Sequence, residues 1–326
     1  MIFKKFTRRG IFLVSFSLLL CSTSFAQKVD HLSSYSDFKN EKYFRLNYDN
    51  DLFSGTDQNY TQGFNFELVS PFLIDNPVND LFFKLGESEV RYGISLEHNA
   101  YTPGDFEKPE IQVGDRPFAA AIFLKSFIIA VNPERGGRFT SSISIGIIGP
   151  AAFGEEIQTG IHQVTGSQIP MGWQNQIRND LVLTYQAGYE KKLIRIKDFL
   201  SFNAQANLLL GTLFTKALLG LNGGFGILNT PFEIGSSSGK LKLYAFVNPL
   251  VNFVGYDATL QGGVFNKSSP YTIAASDTER IIGELNYGIV LQSRSFFLQY
   301  SRTTTTREFT TGDIVKWGGL KAGFSF

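Results

Sequence analysis

The chain of 326 residues holds one cysteine, two methionines, two tryptophans and three histidines. With Cys21 as its sole cysteine it can form no internal disulfide and no thiolate-bound metal centre. Charge of one sign is also missing. Thirty Lys and Arg stand against 29 Asp and Glu, so no basic excess points to nucleic acid. Beyond residue 26 no run of about 18 apolar residues occurs, which excludes a transmembrane helix there. Familiar catalytic signatures are absent too. There is no Gly-x-Ser-x-Gly elbow, no His-Glu-x-x-His zinc helix and no phosphate-cradling glycine loop.

What is present begins with an export signal. Lys4, Lys5, Arg8 and Arg9 precede the short apolar stretch 11–20, and Ser24-Phe25-Ala26 ends it with small residues. This predicts a signal peptide over 1–26, cut after Ala26, and one barrel domain over 27–326. Leu20 is too large for Cys21 to serve as a lipoprotein acceptor. Removal of the signal takes the formal charge from +1 to −3. Glycine and phenylalanine number 32 each, more aromatic surface than a soluble core needs but suited to an outward apolar belt with aromatic girdles.

The dominant pattern is alternation. Phe44, Leu46 and Tyr48 alternate with Arg45 and Asn47, and Phe64, Phe66 and Leu68 with Asn65 and Glu67. A period of two with one apolar face reads as strands with lipid on one side and water on the other. A soluble β-sandwich also alternates. The run lengths near those needed to cross hydrocarbon, the export signal and the ending GGLKAGFSF favour an all-β transmembrane antiparallel barrel. Twelve strands are expected, at roughly 42–50, 61–70, 89–98, 117–130, 139–149, 180–192, 199–210, 216–228, 240–252, 278–292, 296–305 and 316–326. A thirteenth stretch, 256–265, reads as loop because of Gly262-Gly263, which keeps the count even. Both termini then lie in the periplasm. The connections after odd strands, roughly 51–60, 99–116, 150–179, 211–215, 253–277 and 306–315, lie outside the cell.

Three of these outer connections carry polar chemistry. The stretch FGEEIQTGIHQVTG reads as a short helix of about three turns, with Glu155 and Glu156 in the first turn and Gly166 as the stop. Ile157, Ile161 and Val164 form one stripe, and Gln158 and His162 lie one turn apart on the adjacent face. The plain reading is an amphipathic cap with a solvated histidine. The segment after the first strand gathers Asp49, Asn50, Asp51 and Asp57 near Thr61, oxygen ligands that suit calcium or Asx-type turns. The third carries His98, Lys108, Asp115 and Arg116. Arg116 is suited either to an anionic substrate group or to pairing with Asp115. Together a histidine, a carboxylate, carboxamides and calcium could activate water and hold an oxyanion.

The order of Asn50-Asp51, Thr61 in YTQGF, GDRPFAA, IGIIGPAAFGEEIQTGIHQVTG with WQNQI after it, and TTGD before the last strand resembles the outer-membrane lipid A 3′-O-deacylases. The resemblance covers most of the mature chain. It implies a twelve-stranded barrel and calcium-dependent release of the 3′ acyl chains of lipid A, the membrane anchor of lipopolysaccharide. It implies His162 as general base, with Asn50, Asp51, Thr61 and Gln158 as companions. Asp51 would ligate calcium or orient His162. Lys108 and Arg116 would bind substrate. Two departures stand out. Lys108 is the only basic residue before its Lys-Pro step, and Gln168 stands where an acidic residue can occur. The other readings are an outer-membrane phospholipid esterase and a non-enzymatic barrel or pore. A pore would need an open lumen.

Overall fold

The computed structural model describes residues 31–51, 59–84, 86–233 and 239–326. The expected signal peptide and Asp57 lie outside the described residues. The described residues form twelve antiparallel strands closed into a barrel, each paired with its sequence neighbours and the first with the last. They are β1 (Tyr43–Asn50), β2 (Asn59–Val69), β3 (Glu89–Thr102), β4 (Ala119–Asn132), β5 (Gly137–Ile148), β6 (Asp180–Ile196), β7 (Leu200–Gly211), β8 (Phe214–Ile227), β9 (Lys242–Asp257), β10 (Ile281–Gln292), β11 (Phe296–Thr305) and β12 (Val315–Ser325). Closure pairs every strand and leaves no edge, the condition for a sheet in hydrocarbon.

All twelve expected strands are present. The largest differences are extensions, with β9 running past 252 to Asp257, β6 past 192 to Ile196 and β3 past 98. β3 continues to Thr102, four residues past its expected end. Its last residues lack an apolar outer face because protein, not lipid, covers them, so the alternation that marks a strand fades there. Residues Tyr256 and Asp257 close β9, and a single helical turn, α2 (Ala258–Gln261), follows. The stretch read as loop is therefore not a thirteenth strand.

The two faces separate as period two requires. Leu46, Phe66, Leu96, Leu124, Leu219, Leu298, Leu320 and Phe324 project outward as a large apolar belt. Inside, charge pairs fill the lumen. Arg45 bonds Glu67 at 2.8 Å, and Lys125 bonds Glu97 at 2.5 Å. At the end carrying the termini, residues 31–42 enter the lumen ahead of β1. Asp37 accepts from Arg91 at 2.8 Å and Arg138 at 3.1 Å, and Ser34 N–H donates to Glu190 at 2.7 Å. Tyr35 stacks on Phe246 with ring centres 4.1 Å apart. The inward arginines of three strands would repel one another, and Asp37 supplies the charge that holds two of them together. Burial pushes the Asp37 carboxyl up, but the charges and hydrogen bonds of Arg91 and Arg138 win and hold it below its ordinary value.

Toward the other end, Tyr60, Tyr101, Phe123, Val182, Phe214 and Trp317 form a second plug of apolar side chains. A cavity of about 60 Å³ lies between, lined by His31, Lys125, Thr184, Asn207 and Lys216 among others.

Candidate active site on the outer wall

Register decides which side of the wall each residue faces. A Cβ built on Gly63 would strike the Tyr60 hydroxyl and approach Asn99, and one on Gly319 would strike Asp49. These residues face the lumen, so their neighbours Gln62 and Asn50 face outward. Asn50 pairs with Gln62, Gln62 with Ala100, and Ala100 with Ala120. This row crosses β1 to β4 on the outer surface. The next outward row is Tyr48, Phe64, His98 and Ile122.

The expected helix is α1 (Gly154–Thr165). It sits on this outer surface and not over the mouth of the barrel. Ala100, Phe106, Phe118, Ala120, Ala152 and Trp173 pack together where it meets the wall. The approach is tight. A Cβ on Gly154 would lie 2.4 Å from the Ala120 methyl and 2.6 Å from the Trp173 ring, so only glycine fits. Gly166, at φ 73°, closes the helix in the left-handed conformation that favours glycine.

The buried face of α1 is the polar one. Gly154, Gln158 and His162 point to the wall, Ile157 and Ile161 are half-buried, and Val164 is 89% exposed. The plain reading of a solvated His162 is not met, since the side chain is buried. A helix lying on a lipid-facing wall turns its apolar stripe away from the protein, which inverts the rule for soluble helices.

Between wall and helix the geometry is specific. His162 Nδ1 lies 2.5 Å from the Gln168 carbonyl oxygen. A carbonyl only accepts, so Nδ1 carries the proton and the basic lone pair is on Nε2. The Phe106 ring meets the imidazole edge-on at 5.6 Å. Trp173 Nε1 donates to Gln158 Oε1 at 2.8 Å, which fixes that carboxamide with its Nε2 turned from the indole. Asn50 Nδ2 donates to the Tyr48 hydroxyl at 3.0 Å. Asp51 is fully buried. A bulge between Tyr60 and Gln62 leaves Thr61 as the extra residue, and its hydroxyl meets that of Thr102 at 2.6 Å.

The two residues expected to bind substrate part ways. Lys108 is exposed beside Asp105, its partner at 2.5 Å, two residues beyond Phe106. Arg116 is buried on the lumen side. It bonds Glu308 at 2.8 Å and Thr259 at 3.1 Å, and its guanidinium lies 4.3 Å from the centre of the Tyr101 ring. Asp115 instead accepts from the Gly104 and Arg116 backbone N–H groups. Arg116 thus braces the upper lumen and is not gathered with His162. Burial pushes the Glu308 carboxyl up to about 7, against the pull of Arg116.

Five residues here had no assigned role from sequence: Tyr48, Gln62, His98, Phe106 and Trp173. His98 is buried on the outer face, next to the Phe64 ring and against the Ala152 backbone. Nothing in a lone aromatic or glutamine betrays such a role. The facing row becomes visible only once register is known.

Among the described residues no three His, Cys, Asp or Glu side chains cluster as a metal site. The available donors are the carboxylate of Asp51, next to Asn50 in the chain, and the neutral oxygens of Asn50 and Thr61, all three buried. Hard oxygen donors of this kind fit calcium, which accepts carbonyl and hydroxyl oxygen and water beside carboxylate.

A closed barrel with an apolar belt around it defines an outer-membrane protein. A family model described as "Outer membrane protein LpxR" matches residues 12–326, and the chain belongs to that family. Among solved structures, LpxR from Salmonella typhimurium superposes with a TM-score of 0.70 at 20% identity, covering 87% of this chain and 100% of that one. The β domain of the Bordetella autotransporter BrkA matches with a TM-score of 0.46 at 9% identity, over 88% of this chain and 99% of that one. No curated protein sequence matches the chain.

Proposed function

We propose that this protein hydrolyses the ester-linked acyl chain at the 3′ position of lipid A, in the outer leaflet, with calcium as cofactor. The observation that carries the reading is the position of His162. It is buried on the lipid side of the wall with Nδ1 committed to the Gln168 carbonyl, so a base is held where a membrane lipid arrives and not where a soluble substrate would. The filled lumen weighs against a pore.

His162 Nε2 takes a proton from water, and the hydroxide adds to the ester carbonyl carbon. The oxyanion is held by polar N–H groups around Gln158. Collapse expels the sugar oxygen, which takes the proton back from the imidazolium. The products are a free fatty acid and a lipid A hydroxyl. Calcium, when bound, would polarise the ester carbonyl, held by Asp51 and the Asn50 carboxamide oxygen. Thr61, joined to Thr102, fixes the floor beside them. Trp173 and Phe106 orient Gln158 and His162.

The test is mass spectrometry of lipid A and phospholipids treated with purified protein in detergent, with calcium titrated. Loss of the 3′ acyl chain, stopped by chelator and restored by calcium better than by magnesium, is the expected result. Acyl release from phospholipid alone would replace the substrate. Full activity in excess chelator would remove calcium and leave Asp51 as the residue that orients His162.

A further inference from the structure

Among the described residues, two carboxamides in the outer slot have hydrogen to donate and nothing to receive it. Gln158 Nε2 is buried with no acceptor, while its Oε1 is held by Trp173. Gln62 is 1% exposed, and its Nε2 has no acceptor either. The two come from opposite sides. Gln158 belongs to the helix, and Gln62 to the wall, in the outward row between Asn50 and Ala100. Ala100 is the next floor residue toward α1, in the same cluster as Trp173. Ala100 and Ala120 carry only methyl groups, so the floor beside Gln62 stays low. Buried N–H groups are ordinarily paired. Donors of Asn47, Asn99 and Trp317 are also open in the lumen, but the pair in the slot stands on the wall that faces lipid. The acceptor must be a lipid-borne oxygen, because the slot faces the bilayer. It must also be one that gains from two neutral donors. An ester carbonyl that becomes an oxyanion meets both conditions.

We propose that Gln62 is a catalytic residue that donates from Nε2 to the carbonyl oxygen of the acyl ester, opposite Gln158. This rests on the reading of the site as an ester hydrolase. As hydroxide adds to the carbonyl carbon, the C=O π pair moves to oxygen, and the Gln62 and Gln158 N–H groups shorten onto it. When the C–O bond to the sugar breaks, the pair returns and the leaving oxygen takes the proton from His162. Wall and helix thus each supply one donor, so the hole exists only when α1 is docked.

The experiment is steady-state hydrolysis of lipid A by wild type, Gln62→Met, Gln158→Met and the double variant. Methionine keeps length and suits a lipid-facing wall but donates nothing. Loss of one oxyanion donor predicts a fall in kcat of about 10²–10³ with KM changed little. The calcium concentration for half activity should stay as in wild type, and so should the heat-induced gel shift that reports the folded barrel. The double variant should lose much less than the product of the single losses, because both groups serve one oxygen. Wild-type kcat in folded Gln62→Met overturns the proposal while leaving the hydrolase reading intact. Fully multiplicative losses overturn the shared oxygen. A wild type that releases no acyl chain from any lipid overturns both. If Gln62→Met gives no heat shift, Gln62→Leu is put through the same comparison, and unchanged kcat there overturns the proposal equally.

Discussion

The lumen and the outer slot are both buried and both polar, yet they are built from different chemistry. The lumen is held by opposite charges in contact: Arg45 with Glu67, Asp37 between Arg91 and Arg138, Arg116 with Glu308. The slot holds imidazole, carboxamides and hydroxyls, with the Gln62 and Gln158 donors left open among the described residues. Paired charges inside a barrel neutralise one another, within neighbouring strands as for Arg45 and Glu67 and between the entering segment and strands as for Asp37. Neutral polar groups beside lipid are less costly to bury than charges. Charge pairing therefore marks what supports the barrel, and the neutral slot is where the proposed function puts the substrate.

Exchange experiments can break that division. The largest effect is expected at His162. His162→Ala should lower kcat by about 10²–10⁴-fold, more if it acts as a unit with its companions. The heat-induced gel shift should stay at the wild-type temperature, since no strand pairing depends on this side chain. A variant that keeps activity, or that loses activity only by failing to fold, would erase the distinction.

Asp37→Ala should do the reverse. It leaves Arg91 and Arg138 facing each other without their shared carboxylate, at a cost of about 3–5 kcal/mol. The urea midpoint of unfolding should fall, with lipid hydrolysis per folded molecule unchanged. The wild-type midpoint should also drop in acid. The folded-state Asp37 carboxyl lies below its ordinary value, so its contribution is complete above the unfolded value and is lost as pH falls through the folded one. An Asp37→Ala protein with wild-type midpoint and the same acid limb would show that the segment merely lies in the lumen.

Glu308 tests the other end with the opposite sign. Its folded value is raised from 4.5 to about 7, so its proton is held more tightly in the folded barrel. That contribution is present below 4.5 and fades as pH rises through about 7. Glu308→Gln keeps an acceptor for Arg116 but cannot ionise. Its urea midpoint should stay flat over that window where wild type declines, a smaller change than at Asp37. Parallel curves for the two proteins would remove Glu308 as the group responsible.

Much of this was legible in the sequence, for a physical reason. A two-residue period with lipid outside writes itself into every strand, as Phe64, Phe66 and Leu68 show, so the strand count could be read directly, and the stripe of Ile157, Ile161 and Val164 gave the helix over 154–165. Where protein replaces lipid the code fails. Residues 99–102 extend β3 without an apolar face, and α1 buries Gln158 and His162 instead of its isoleucines. The lumen segment 31–42 carries no period at all, because its partners are arginines on distant strands. Arg116 was the hardest. Its neighbour Asp115 was the obvious partner by sequence, but Glu308, from the connection after β11, is the one it meets.

The smallest effect is expected at Lys108, which belongs to neither side of the comparison. It lies at the edge of the slot, exposed and bonded to Asp105, two residues from the Phe106 ring that meets His162. Its ammonium can attract the phosphates of lipid A, but an exposed charge already shared with a carboxylate is screened by water and salt. Lys108→Ala should therefore leave kcat unchanged and raise KM by less than about fivefold at low ionic strength. The difference should vanish when salt shortens the screening length to a few ångströms. Asp105→Asn, which releases the ammonium from its partner, should move KM in the opposite direction under the same conditions. A fall in kcat that persists in high salt would mean that Lys108 reaches the reacting ester, and the slot would then hold a charge used in catalysis.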